Sequence, residues 1–407
     1  MRRHLSHLLA VVLTLSFVAI FVGGCAQPAP AGETKQAPAG EAKAAPAGEA
    51  KAAPKGEVRI GALIPYTGMG AAVGKMVEGG IQYVLEEANW EVAGKKIVLI
   101  KEDETDDPNN AVAKARKLVE QDKVDVILGP MLAHSGAAVG AYLAPLGIPH
   151  MIMGGADFGE SKDTFYPGSG RGDVAPSGPF AYEDLGAKTA AVLYADYLYG
   201  QELADGFAAG FTSKGGKVVS SQAVPVGTAD MIPYLQAIRK TDLLAVFLVN
   251  PSDFAFVRQY QELGLKMPVL FISNAPQEEP LLAQMGDGVL GMYGLSWYSP
   301  QVDTPFNKTF VEKYKSKFGA LPGIMTHTSY MGAALFLQAF KATGGDTDHA
   351  KVIEAMKGIK NLDTPNGPIS MTAGRIAIKD EFVFKAVKIG DRYAWDPVKK
   401  YPAVQPK

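Results

Sequence analysis

The stretch that decides the fold is VDVILGPMLAHSGAAVGAYLAPLGIPHMIMGGAD, residues 124–157. It holds two short apolar runs, 124–128 and 150–153, and each stops at glycine, Gly129-Pro130 and Gly154-Gly155. Between them, residues 135–146 are small and alanine-rich, with apolar positions at helical spacing. Strand, loop, helix and strand make a βαβ unit, and continuous apolar runs suit parallel strands buried on both faces. Ligands of such sheets sit beyond the carboxyl ends of the strands. Residues 131–136 and 154–157 are therefore the first places to look for a site.

The same rhythm runs outward in both directions. Strands are expected at 58–64, 96–101, 189–194, 217–221, 243–249 and 268–273. Helices are expected at 75–89, 109–121, 180–185, 201–213, 232–239 and 254–263. Alternating strands and helices mean parallel α/β sheets, and two successive sets suggest two such domains. The Gly, Ser and Pro of GSGRGDVAPSG, 168–178, break the chain between them. The last third changes rhythm. A strand at 289–297 precedes amphipathic helices at 306–318, 325–341 and 349–358, then strands at 367–371 and 381–389. This tail is too short for a third domain, so the chain is expected to cross between the first two more than once.

Composition excludes some functions. The chain is 47% hydrophobic and 20% charged, an ordinary globular balance. Its formal net charge of −2 gives no reason to expect nucleic acid as a partner. Residues 1–24 read as an export signal: Arg2 and Arg3, an apolar run at 8–22, then Val22-Gly23-Gly24-Cys25. The run falls short of the roughly 20 residues a membrane span needs. VGGC resembles a bacterial lipobox, which implies cleavage before Cys25 and lipidation of that residue. Cys25 is the sole cysteine, so no intrachain disulfide can form. Residues 25–56 carry three tandem octapeptides, AGETKQAP, AGEAKAAP and AGEAKAAP, without large apolar side chains. Such a segment reads as a solvated tether.

An ordered set of segments carries a family resemblance. VRIGALIPYTG, AAVG and GGIQYVLEEAN are followed by KIVLIKEDETDDPNNAVAKARKLVEQDKVDVILGP and LGIPHMI. LGAKTAAVLYADYLYGQELADGF, GTADMIPYLQAIRK and FAFVRQYQELGLKMPVLF continue the match, which spans 58–395. Together they resemble the branched-chain amino acid (Leu/Ile/Val)-binding protein family, the type I periplasmic solute-binding proteins of ABC transporters. The resemblance implies an α/β fold of two Rossmann-like lobes with parallel sheets, joined by a three-crossover hinge. Lobe 1 is expected over 57–175 and 297–377, and lobe 2 over 176–296 and 378–407. It further implies a small-molecule solute between the lobes, ABC permease subunits as partners, and a monomer lipid-anchored outside the cytoplasm. Neither cofactor, metal nor catalytic residue is implied.

The resemblance also nominates residues. Ala133 stands at the family's carboxylate-binding serine, with His134 and Ser135 next. A backbone N–H survives at Ala133, and a neutral imidazole at His134 can donate or accept. The family's Ala-Ala-Thr falls on Gly155, Ala156 and Asp157, where the acid could meet a ligand ammonium or hydroxyl, or cap the following segment. Tyr199 matches the lobe-two tyrosine that closes over ligand, with Tyr197 competing for that role. Asn274 lies near the acid that amino-acid binders set against the ammonium, and Glu278 and Glu279 are close by. Tyr330 matches a rim tyrosine but also suits the core of its helix. Val73 replaces the Tyr or Trp that many members place over the ligand. With Ala133 and Asp157, it puts a simple branched-chain amino acid in doubt.

Enzyme readings find weaker support in the residues. Gly68, Gly70 and Gly74 follow a strand and open a helix, as in a dinucleotide site. The spacing is G-x-G-x-x-x-G, and the acids at 102–104 lie about 28 residues past Gly74 where about 20 is expected. His134-Ser135 lacks the G-x-S-x-G elbow of a hydrolase. The run of acids at 102–107 reads as helix initiation, with Asp107 capping before Pro108, in preference to a metal site. A sensory receptor built on the same bilobed body stays open beside the transport reading.

Overall fold

A computed structural model describes residues 56–154, 163–167, 171–273 and 278–405. Cys25 and the octapeptide tether lie outside the described residues. Ala53–Lys407 is one compact unit, and it carries two sheets.

The first sheet is built from β1 (Glu57–Ile64), β2 (Glu91–Val92), β3 (Lys95–Asp103), β4 (Val126–Leu128), β5 (His150–Met151) and β6 (Thr164–Phe165), in the order β2-β3-β1-β4-β5-β6. Apart from the short β2, these strands run parallel. α1 (Ala71–Glu87), α2 (Pro108–Glu120) and α3 (Ala133–Leu143) connect them. The alternation along β1 explains why the helices sort to opposite faces. Val58, Ile60, Ala62 and Ile64 pack into one core, while Leu63 packs into another with Leu118 and Val139. The expected strand at 150–153 is only two residues long, because Ile152 and Met153 already turn into the loop above the sheet.

The chain then crosses to the second sheet through α4 (Ser177–Glu183). β7 (Thr189–Ala195), β8 (Lys217–Val224), β9 (Leu243–Phe247), β10 (Val269–Phe271) and β11 (Tyr293–Ser296) form its parallel part. α5 (Leu198–Ser213), α6 (Ile232–Gln236) and α7 (Ser252–Glu262) connect them. This sheet too is buried on both faces. Leu244 and Val246 of β9 enter one core, Leu243, Ala245 and Phe247 the other.

From Trp297 the chain crosses back. α8 (Pro305–Phe318), α9 (Ile324–Ala342) and α10 (His349–Lys357) contribute to the core that holds β1 and α1. Gly80 lets α1 approach α9 closely, since a Cβ there would stand 2.1 Å from the Thr326 carbonyl. β12 (Leu362–Thr364) and β13 (Gly367–Met371) follow, and β14 (Ala377–Ile389) carries the chain over once more. Ala377 lies in the first core, and Phe382, Phe384 and Ala386 lie in the second. β15 (Arg392–Val404) returns antiparallel along β14, so this edge of the second sheet is mixed and not purely parallel. Its sequence conceals a strand because Pro397 and Pro402 interrupt it. Prolines are tolerated at a sheet edge, where the missing N–H faces no partner.

All three crossings meet at one buried ion cluster. Lys379 of β14 is fully buried, with its Nζ 2.9 Å from Asp173 Oδ2 and 3.1 Å from Glu381 Oε1. Its ammonium also lies 5.1 Å from the ring centroid of Trp297. Burial opposes the charge on Lys379, but the two carboxylates outweigh it and hold the ammonium above its ordinary range. Asn366 Nδ2 donates to the Trp297 carbonyl at 3.0 Å, adding a neutral tie. Lys379→Met would leave both acids buried without their cation, so a loss of about 3–5 kcal/mol is expected in denaturant unfolding. Unchanged stability would contradict the cluster's structural role.

Candidate functional site

A cavity of about 360 Å³ opens between the two sheets. The loops beyond β4 and β9 supply opposite walls, as strand ends in such sheets should.

On the first lobe, the wall is set by a buried acid. Gly129 has φ +98°, and a Cβ there would lie 2.2 Å from the Leu63 carbonyl, so the turn out of β4 requires glycine. The two residues after Pro130 are then held by Glu104, which is fully buried. Its carboxylate accepts from Met131 N at 2.6 Å and from Leu132 N at 3.0 Å. Burial pushes Glu104 up to about 8, against the pull of those two N–H groups. α3 starts directly after this loop, two residues earlier than its sequence period suggests. Its N-cap residue, Leu132, offers no side-chain hydrogen bond to the first turn, so the leading N–H groups suit a carboxylate. His134 lies in that turn, and its Nε2 is 3.0 Å from the Asp106 carbonyl. Nε2–H donating to that carbonyl leaves Nδ1 as an acceptor. Val73 reaches the cavity from α1, whose first turns pack against Pro65 through Gly70 and Gly74.

On the second lobe, the wall is aromatic and acidic. Tyr199 meets Phe247 edge-on, with ring centroids 5.5 Å apart, and its hydroxyl is 3.4 Å from Ser273 Oγ. Tyr197 stands 6.2 Å from the same phenylalanine. Asn250, Asp253 and Phe254 follow from the loop and first turn of α7. Asp253 Oδ1 accepts from Phe254 N at 2.8 Å, and burial pushes its carboxyl up to about 7. Glu278 completes this side. Its Oε1 accepts from Met325 N at 2.7 Å, which ties the second lobe to the start of α9 in the first. Burial pushes Glu278 up to about 7 as well. Among the described residues, no Lys or Arg lines the cavity.

Of the residues nominated from sequence, Val73, Ala133, His134 and Tyr199 line the cavity together. Ser135 is fully buried and is not among the lining residues. Tyr330 is buried among Tyr83, Phe306 and Phe310 and does not line the cavity either, because its position on α9 faces the core with α1 and α8. Gly155, Ala156, Asp157 and Asn274 lie outside the described residues. Asp253 was missed, although a signal for it exists. LLAVFLVNPSD repeats the pattern of VDVILGPMLAH: an apolar strand, an X-Pro step, then a helix. Both X-Pro bonds are cis. The role of Glu104 was missed because its partners are 27 and 28 residues away.

Glu104→Ala would strand two buried N–H groups, and a loss of about 2–4 kcal/mol is expected. Glu104→Gln gives a pH test. Unfolded, Glu104 ionises near the ordinary glutamate value; folded, it does so only near 8. The unfolded state then holds fewer protons than the folded one across this window, so this group's contribution to stability falls as pH rises from about 5 to 8. Wild-type Tm is therefore expected to fall relative to that of Glu104→Gln across that range. A gap independent of pH would contradict this reading.

The periplasmic binding protein family matches residues 57–389. Leu/Ile/Val-binding protein homolog 6 of Brucella suis biovar 1 (strain 1330) is 29% identical over 326 residues, covering 77% of this chain and 83% of that protein. An amino acid binding protein of Pseudomonas aeruginosa is 28% identical over 360 residues, covering 84% and 91%. Among solved structures, the chain is similar to a solute binding protein of an ABC transporter from Rhodopseudomonas palustris BisB5 in complex with 3,4-dihydroxybenzoic acid. That match has a TM-score of 0.81 and 30% identity, and covers 86% of this chain and 98% of that one.

Proposed function

The chain belongs to the periplasmic binding protein family, and on that premise we propose that it is the solute receptor of an ABC importer. Its solute is an amphipathic carboxylate, an amino acid or a hydroxylated aromatic acid. The observation that carries this reading is the cavity between the sheets, with apolar and aromatic walls from both lobes and few polar groups. Its size falls in the range of small-molecule sites, roughly 300–1,000 Å³. The carboxylate is assigned to the uncapped first turn of α3, at Ala133 and His134. The apolar body lies against Val73, Met325, Tyr199 and Phe247. Gly155, Ala156, Asp157 and Asn274 are proposed to complete the contacts. The lobes are taken as 57–175 with 297–377, and 176–296 with 378–407.

Solute touching both walls favours the arrangement in which the lobes meet, and the permease recognises that arrangement. The site binds without turnover. On this reading residues 1–24 direct export, Cys25 is lipidated, and the protein is anchored to the cell membrane outside the cytoplasm, in the periplasm or on the outer face of the cytoplasmic membrane, with 25–56 as its lipidated tether. The resemblance to branched-chain amino acid receptors and to a dihydroxybenzoate-bound neighbour supports both solute types.

Titration calorimetry and thermal unfolding with L-leucine, L-phenylalanine, 4-hydroxybenzoate and 3,4-dihydroxybenzoate test the proposal. At least one is expected to bind at micromolar Kd or tighter. At about 100 times Kd it should stabilise the fold by roughly 2.7 kcal/mol, read as a rise in Tm, and should be recovered unchanged. No heat and a flat Tm with all four, and with amides and polyamines, would overturn it.

A further inference from the structure

Glu104 stands directly behind the wall assigned to the solute's carboxylate. It is fully buried, and its two oxygens hold consecutive N–H groups, those of Met131 and Leu132. Both residues line the cavity, and the next N–H groups along the chain, at Ala133 and His134, open α3. A solute carboxylate at that turn takes the N–H groups that follow the two held by Glu104. Two carboxyl groups then meet on one short stretch of backbone, out of water. The chain supplies little to offset their charge. Among the described residues, no Lys or Arg lines the cavity. The charged neighbours that press on Glu104 are Asp103 and Asp106, and both are acids. Asp103 accepts from Thr67 Oγ1 at 2.7 Å and from the N–H groups of Tyr66 and Thr105, each at 3.1 Å. Burial opposes its charge, but those donors outweigh it and hold Asp103 below its ordinary range, so it stays ionised. From α3 the titratable group facing this loop is His134, whose Nε2 is 3.0 Å from the Asp106 carbonyl. From the turn after β1 it is Tyr66, whose N–H reaches Asp103. Two carboxylates confined together in a low-dielectric site repel, and one of them keeps a proton.

We propose that the receptor takes up its solute together with a proton: the solute arrives as a carboxylate at the first turn of α3, and one proton from bulk water comes to rest on the Glu104 carboxyl behind it. This rests on the solute-receptor reading above and adds a condition to it. The charge balances, since one anion and one proton enter and the chain need not supply a cation. The free protein is already close to this state, because burial pushes Glu104 up to about 8. A solute carboxylate pushes it further. Uptake by Glu104 is therefore largest just above that pH and absent well below it, where Glu104 is protonated beforehand. Asp253 and Glu278 face the solute from the opposite wall, and burial pushes each up to about 7. They titrate at lower pH, and a variant of Glu104 separates their contribution.

Titration calorimetry with L-leucine or 4-hydroxybenzoate, whichever binds, tests this when run in two buffers of unlike ionisation heat, because the difference counts protons. At about pH 8.5, wild type is expected to take up at least about half a proton more than Glu104→Gln, and at about pH 6.5 no more than the variant. Wild-type affinity should be about 3-fold weaker or more at about pH 8.5 than at about pH 7, a loss that Glu104→Gln does not share. Should that variant fail to fold or bind, infrared difference spectra of wild type isotope-labelled in glutamate decide the matter. Adding solute at about pH 8.5 should raise a protonated-carboxyl band that the label shifts and that persists in Glu278→Gln. Equal uptake in wild type and Glu104→Gln, or no such band, would overturn the inference and leave the receptor reading intact. No binding of either solute to wild type, nor of any other in the panel above, would overturn the receptor reading, and this inference with it.

Discussion

The buried ammonium of Lys379 is the contact on which the arrangement of this molecule depends. Asp173 belongs to the first crossing between the sheets, Trp297 to the second, and Lys379 with Glu381 to the third. A charge without counterions could not stay in that position. The three segments must therefore come together for any of them to be buried, and once together they fix the ends of both sheets. The loops beyond β4 and β9 then face each other across the cavity, and the site follows from that placement.

Around the cavity the chain uses one device twice. A buried glutamate gathers backbone N–H groups at the start of a helical segment. Glu104 does so for Met131 and Leu132 before α3, and Glu278 does so for Met325 at the start of α9. Each glutamate is distant in sequence from its partners. Each is pushed up by burial, Glu104 to about 8 and Glu278 to about 7. Both oxygens of Glu104 are engaged, so it acts as a splint. Glu278 lines the cavity as well, so the same kind of contact stands at the wall of the site.

Much of the fold was legible in the sequence because burial on both faces leaves a plain signature. The runs in β1, β4, β7 and β9 are continuous and apolar, and glycine or proline ends several of them. β15 was not legible. Its prolines and lysines suit an exposed edge, and its pairing with β14 is what defines it. The site was legible where local order sets it: Val73, Ala133, His134 and Tyr199 sit at the ends of recognisable strands or on the helices that follow. It was illegible where an acid acts over distance. Nothing adjacent to Glu104 or Glu278 announces that its partners lie 27 to 47 residues away. Tyr330 shows the converse: a position that matches a rim tyrosine in relatives is here taken up by packing against Tyr83 and Phe310.

The most direct measurement is a crystal structure of the protein grown with L-leucine or 4-hydroxybenzoate, whichever titrates. The expected result is solute in the cavity between the sheets, with its carboxylate at the first turn of α3 and its body against Tyr199 and Phe247 of the other wall. Solute bound elsewhere, or touching the residues of one lobe alone, would contradict it.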